Sequence, residues 1–233
     1  MTTSTLTTPT AAPATRNLNP FRWSQRTGAL ASGTALAAMA VLAVFGYFVA
    51  VKGLWVAGDA QKTADAIGNS PALWIAGIVA MFVVTILDVI AALGTSAVFK
   101  PVHRRVAQVA WVMRTAFAAW YLVAITQLVV AFTNLDRPEA ALANIESFWS
   151  IWQASLGFFG LYLLVVAYLA IRSGFMPKIF GILIGVAGLG YIADIIGLTF
   201  VAGFAPTFGF FGFIGETAMI FWLLIKGRKL PRV

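Results

Sequence analysis

The 233-residue sequence predicts an all-α protein: a polytopic membrane bundle of six transmembrane helices with both termini in the cytoplasm. Hydrophobic residues make up 61% of the chain and charged residues 10%, whereas soluble domains are nearer half apolar and a quarter charged. The apolar residues form long runs, and the basic residues are divided unequally between the connections. This composition argues against a water-soluble globule, a disordered chain and a nucleic-acid partner, and it makes the lipid bilayer the expected surroundings.

Six apolar runs reach or approach the length needed to cross a bilayer as a helix. A helix needs about 20 residues to cross about 30 Å of hydrocarbon. None of the runs alternates polar and apolar residues at a period of two, and a helix satisfies its own backbone hydrogen bonds in lipid. The predicted spans are Gly28–Val51, Ala72–Phe99, Val106–Thr133, Phe148–Ile171, Ile179–Ala202 and Phe208–Ile225.

The spans are predicted to form one membrane domain, residues 28–228, between two tails. Residues 1–27 are rich in Thr, Pro and Ala and carry no acid, which is typical of a flexible segment. Phe21 and Trp23 are expected to anchor this tail at the membrane interface. Residues 229–233 are predicted to form a short basic tail.

The charged residues of the connections predict the orientation. The tails and the second and fourth connections hold 12 of the 16 Lys and Arg residues, and the first and third connections hold three. Five acids are confined to the first and third connections: Asp59, Asp65, Asp136, Glu139 and Glu146. Because basic loops stay on the cytoplasmic side, both termini are expected there.

Four ionisable side chains lie inside predicted spans, where each costs about 2.5–3.5 kcal/mol to insert and should therefore face protein. Asp88 and Arg114 lie ~16 Å and ~12 Å from the cytoplasmic ends of consecutive antiparallel spans, which predicts an ion pair. Tyr121 shares the Arg114 face. This layer either fixes the register of two helices or forms a gate or substrate site.

Asp194 and Glu216 both lie ~12 Å from the outer ends of their predicted spans. Two carboxyl groups that face each other in a low dielectric are expected to share one proton. Tyr191, on the Asp194 face, and Gln127 and Gln153, in the outer half, are the expected hydrogen-bond partners. This layer is either a set of protonated structural acids or a proton or cation site.

The sequence predicts no cofactor, metal site or catalytic residue, because it has no Cys, one His and no recognised catalytic motif. The favoured function is a small ion- or proton-coupled carrier for a proton, a cation or a small molecule. An alternative is an accessory membrane subunit that binds a partner protein or a second copy of itself. An intramembrane lipid-modifying enzyme is a third alternative.

The connection Arg172-Ser-Gly-Phe-Met-Pro-Lys178 and the span that follows, to Asp194, resemble the integral-membrane family called domain of unknown function 4386. The segment from Glu216 to Gly227 resembles it too, and so do the positions of Asp88, Pro101 and Arg114. The resemblance covers about residues 28–228. It implies a membrane protein with six or seven helices, mainly bacterial and therefore in the cytoplasmic membrane, and it implies no reaction.

Overall fold

The computed structural model describes residues 22–231, which are helical and contain no β-strand. Phe21 and most of the predicted flexible tail lie outside the described residues, as do the last two residues of the predicted basic tail. The described range contains a short 3-10 helix, Gly227–Lys229, and seven longer helices: α1 (Gln25–Leu54), α2 (Ala60–Asn69), α3 (Pro71–Phe99), α4 (Arg104–Thr133), α5 (Pro138–Arg172), α6 (Lys178–Phe200) and α7 (Phe208–Ile225).

Five of these helices, α1 and α3 to α6, are long and apolar enough to cross a membrane. They have between 23 and 35 residues, and each overlaps one of the first five predicted spans. The sixth predicted span is helical over its predicted bounds, Phe208–Ile225, as α7. That α7 crosses the membrane, and that both termini are cytoplasmic, stay predictions.

The first helix is irregular in its second half. It begins at Gln25, where the Ser24 side chain accepts a hydrogen bond from the Thr27 N–H at 3.2 Å, and it is α-helical to Ala43. Residues Val44–Val51 form a π-helix, a rare conformation that is frequently found at functional sites. The predicted span is therefore continuous but changes its helical geometry halfway.

Two features of the acid-rich connections differ from the prediction. The fourth span begins at Pro138 rather than Phe148, because proline suits a first helical position and the apolar stripe already starts with the buried Ala141 and Ile145. The resulting α5 has 35 residues, about 52 Å, and so exceeds the thickness of the hydrocarbon core. The first connection contains the amphipathic helix α2, which packs against α5 through buried residues that include Ile67.

The six long helices close a ring. Each long helix packs against the next one in the chain, and α7 returns to pack against α1. Small residues allow close backbone approach at several crossings. A Cβ atom at Gly94 of α3 would lie 2.5 Å from the carbonyl oxygen of Gly28 in α1, and one at Gly160 of α5 would lie 2.6 Å from that of Gly188 in α6.

The two ends of the ring differ in charge. The basic end contains the start of α1, the α3–α4 and α5–α6 connections and the end of α7. The acidic end contains α2, the α4–α5 connection and the α6–α7 connection, with the five acids named above. The depth of a residue is its distance along its helix from the basic end.

Candidate functional site

The predicted ion pair between Asp88 and Arg114 is present inside the ring. The Arg114 Nε donates to Asp88 Oδ1 at 2.9 Å, and Nη2 lies 2.7 Å from the same oxygen. Both residues are buried, with 1% and 4% of their surface exposed. The opposite charges therefore balance each other in the middle of the bundle.

Arg114 is also held by α5. Its Nη1 donates to the Tyr162 hydroxyl at 3.2 Å, and its guanidinium lies 5.3–5.4 Å from the ring centres of Tyr162 and Phe159, within the range of a cation–π interaction. Sequence reasoning missed both aromatic residues. Tyr162 could have been found by depth, because it is ten residues before Arg172 and so lies at ~15 Å, level with Arg114.

Glu216 belongs to this same layer and not to an outer one. It lies nine residues before the end of α7, at ~14 Å, while Asp88 lies eleven residues before the end of α3, at ~16 Å. The Tyr191 hydroxyl donates to Glu216 Oε1 at 3.0 Å, as expected for a tyrosine on that side of α6. Glu216 is half-buried and forms no ion pair with any residue of the range 22–231.

Asp194 caps the start of α7. Its carboxylate accepts the backbone N–H groups of the first turn of α7, from Thr207 at 2.9 Å, Phe208 at 3.0 Å and Gly209 at 2.6 Å. A carboxylate at this position satisfies donors that have no partner within the helix and interacts favourably with the helix dipole. The prediction that Asp194 and Glu216 share a proton is therefore wrong.

The error has a geometric cause. The prediction placed the start of α7 at the membrane boundary, but Phe208 meets Asp194, which is six residues before the end of α6, so α7 begins ~9 Å below that end. Glu216 is eight residues farther along and so lies ~12 Å from the Asp194 level. Gln127 is half-buried and Gln153 is buried, and neither hydrogen bonds to these acids within the described residues.

A cavity of about 310 Å³ lies inside the ring at the level of the charged layer. Asp88, Arg114 and Glu216 reach it, together with Tyr191 and with Tyr121, which stacks on Phe117 at 6.2 Å. Eight of the described lining residues are aromatic: Tyr47, Phe48, Phe117, Tyr121, Trp152, Phe159, Tyr191 and Phe213. The cavity is thus an aromatic chamber with three charged groups.

The chamber opens sideways between α1 and α7. These helices meet near the basic end, where a Cβ atom on Gly33 of α1 would lie 2.9 Å from the Leu224 side chain of α7. Toward the acidic end the π-helical part of α1 packs on α3 instead. Three lining residues along this gap are about half exposed: Val44 and Phe48 on α1 and Phe213 on α7. Their apolar side chains make the gap compatible with surrounding lipid.

The arrangement leaves one acid without a balancing charge. Asp88 and Arg114 cancel, so an ionised Glu216 gives the chamber a net charge of −1, and a protonated Glu216 makes it neutral. Within residues 22–231 no three His, Asp or Glu side chains come together as a metal site would require. An ionised carboxylate in this position has the capacity to accept a proton or to pair with a cation.

Comparison with known proteins assigns the family. The family described as "Domain of unknown function (DUF4386)" matches residues 31–227. A protein of Archaeoglobus fulgidus described as "Uncharacterized protein" is 34% identical over 156 residues, which cover 67% of this chain and 86% of that protein, so the similarity extends to an archaeon. No solved structure matches this chain. The chain belongs to the family called domain of unknown function 4386.

Proposed function

We propose that the protein is a carrier that exchanges protons for a small organic cation across the membrane, with Glu216 as the shared binding group. The observation that carries this proposal is the chamber of about 310 Å³ in which Glu216 is the acid without a balancing charge among the described residues. A proton and a cation would each neutralise that carboxylate, so only one of them binds at a time. Such competition is the requirement for coupled exchange.

The lining of the chamber supports an organic rather than an inorganic cation. Small hydrated cations require several oxygen ligands, whereas aromatic faces attract alkylated ammonium groups that shed water easily. Among the described lining residues, aromatic rings outnumber carboxylates by eight to two. The volume is at the lower limit for ligand pockets, which indicates a compact substrate.

The other polar groups around Glu216 act as positioning residues in this proposal. Tyr191 orients the carboxylate through its hydroxyl, and the neutral Asp88–Arg114 pair forms one wall of the chamber. The π-helical segment Val44–Val51 borders the sideways opening, so its movement relative to α7 would change access to the chamber. The accessory-subunit and enzyme alternatives receive no comparable support from this geometry.

The test is counterflow in vesicles that contain the purified protein. Vesicles loaded with benzyltrimethylammonium and a trapped pH-sensitive dye are diluted into buffer without the cation. One proton should enter for each cation that leaves, so the lumen should acidify. Glu216→Gln should slow this acidification about tenfold or more, the loss expected when a contact of about 1.4 kcal/mol is removed. Glu216→Asp should retain part of the rate.

Glu146→Gln is the matched control, because Glu146 is an exposed acid on α5 near the acidic end. This variant should acidify at the rate of the unmodified protein. Vesicles that show no cation-driven acidification would overturn the carrier proposal. Equal rates for the unmodified protein and Glu216→Gln would overturn the role of Glu216.

We also propose that the basic end faces the cytoplasm, with both termini inside a cytoplasmic membrane. The support is the 12 to 3 division of basic residues between the two sets of connections. Because the chain has no Cys, single cysteines can report the side directly. In intact cells an impermeant maleimide should label Gln61→Cys and not Lys178→Cys, and the reverse pattern would contradict this orientation.

A further inference from the structure

A second site candidate lies outside the ring, at the basic end. The start of α1, the last turns of α3 and the first turns of α4 enclose two adjoining cavities of about 720 Å³ and 520 Å³. The two cavities share Trp23, Ala97, Lys100 and Arg104 and so form one groove. This groove has no part in the chamber that contains Glu216.

The rim of the groove is strongly basic. It is lined by four exposed cations: Arg22, Lys100, Arg104 and Arg105. None of these residues forms an ion pair within the described range, and the basic-end connections contain no acid. The rim therefore has four positive charges with no compensating charge nearby.

The floor of the groove is apolar and extends toward the middle of the membrane. Leu93 lies seven residues before Lys100, ~10 Å deeper, and Val112 lies eight residues after Arg104, ~12 Å deeper. Val109 and Val112 are about half exposed on this outer face. Trp23 stands at the border between rim and floor, the position that amphipathic indole rings prefer at a membrane interface.

From this juxtaposition we propose that the groove binds an anionic phospholipid, with the headgroup phosphate among the rim cations and an acyl chain along the floor. Basic pockets beside transmembrane helices attract acidic lipid headgroups. A free anion would use the rim alone and leave the apolar floor uncovered. A second copy of the chain would bring the same positive rim against this one. Of these three occupants, only the phospholipid complements both the basic rim and the apolar floor. Its binding is independent of transport through the chamber.

The test is native mass spectrometry of the detergent-solubilised protein with phosphatidylglycerol or phosphatidylcholine of identical acyl chains. The unmodified protein should bind phosphatidylglycerol about tenfold or more tightly, since each Lys or Arg beside an acidic headgroup contributes about fivefold. The triple variant Lys100→Gln, Arg104→Gln, Arg105→Gln should bind both lipids equally. Its elution profile and circular dichroism should match those of the unmodified protein, which shows that it is folded.

Arg172→Gln combined with Lys178→Gln is the matched control, because both residues are exposed at the same end but lie outside the groove. This control should keep its preference for phosphatidylglycerol. An equal loss in both variants would overturn the proposal, because the attraction would then belong to the whole basic end. Equal competition by soluble glycerol phosphate would also overturn it, because the site would then recognise an anion without a lipid chain.

Discussion

Asp194 and Glu216 are two acids on neighbouring helices of one membrane bundle, and their surroundings differ in a simple way. Asp194 is 7% exposed and accepts three backbone N–H groups from the first turn of α7. Glu216 accepts one tyrosine hydroxyl and faces a chamber with room for a ligand. Both side chains are carboxylates, but Asp194 accepts three hydrogen bonds and Glu216 accepts one.

This difference separates an acid whose hydrogen bonds hold the fold from an acid that is free to bind a ligand. A carboxylate whose oxygens are already bonded to fixed donors has little capacity for a further ligand, and its removal leaves those donors unsatisfied. A carboxylate with free lone pairs beside a cavity can gain and lose a proton or a cation without disturbing the fold. The number of donors already bound to each carboxylate thus shows which of the two acids has free capacity for a ligand.

The largest effect on stability is expected at Asp88, because its carboxylate is paired with the buried guanidinium of Arg114. Asp88→Leu or Arg114→Met alone should lower the free energy of unfolding by about 3–5 kcal/mol, since each leaves an unpaired buried charge. The double variant should lose less than either single variant. Unfolding in mixed detergent micelles with increasing dodecyl sulfate measures all three. Additive losses would mean that the two residues act independently.

The second test compares the two acids directly. Asp194→Ala removes the acceptor of three N–H groups and should lower the free energy of unfolding by about 3 kcal/mol. Glu216→Gln keeps a carbonyl oxygen for the Tyr191 hydroxyl and should change it by less than about 1 kcal/mol. The same micelle unfolding assay applies. Similar losses in both variants would remove the distinction between them.

The smallest effect is expected at Asp59. Like Asp194, it accepts a backbone N–H group at the start of a helix, but its side chain is partly exposed to solvent. Its carboxylate accepts the Lys62 N–H at 3.0 Å at the start of α2 and pairs with the Lys62 ammonium at 2.8 Å. The hydrogen bond from the Lys62 side chain, with that from its backbone N–H, lowers the pKa of Asp59 below its ordinary value.

A lowered pKa means that the stabilisation is complete above the ordinary value of about 3.9 and is lost as the pH falls through the lowered value. Amide hydrogen exchange in α2 should therefore quicken in acid relative to α3, after correction for intrinsic rates. In Asp59→Asn this acid-dependent increase should be absent. An equal increase in both proteins would show that another group is responsible.

Depth along helices, counted from one end, was the part of the site that sequence could predict. It placed Asp88 beside Arg114 because both spans share the short connection at the basic end, which fixes their relative height. The same counting failed for Glu216. The seven-residue connection before α7 returns toward the basic end, so α7 begins at the level of Asp194 and not at the end of α6, and no local sequence pattern predicts this. Counting from the basic end would have placed Glu216 in the correct layer.

Other features depend on contacts distant in sequence. The π-helical half of α1 has ordinary apolar composition, and its Tyr47 packs against Trp149 and Trp152 of α5, with ring centres 5.7 Å and 4.7 Å apart. The aromatic lining of the chamber is likewise assembled from five of the six long helices, and α3 contributes only Val84 and Asp88 to the lining. In a sequence with 14% aromatic residues, those that line a cavity cannot be told from those that face lipid without the packing.

The way α7 begins also bears on how α6 and α7 stabilise each other. Its first turn starts below the end of α6, and the donors there are satisfied by a side chain of that neighbour rather than by water. A helix that entered the bilayer by itself would expose those N–H groups to hydrocarbon, at several kcal/mol each. The first turn of α7 therefore depends on the Asp194 side chain of α6, so in apolar surroundings the two helices are stable as a pair and α7 is not stable by itself.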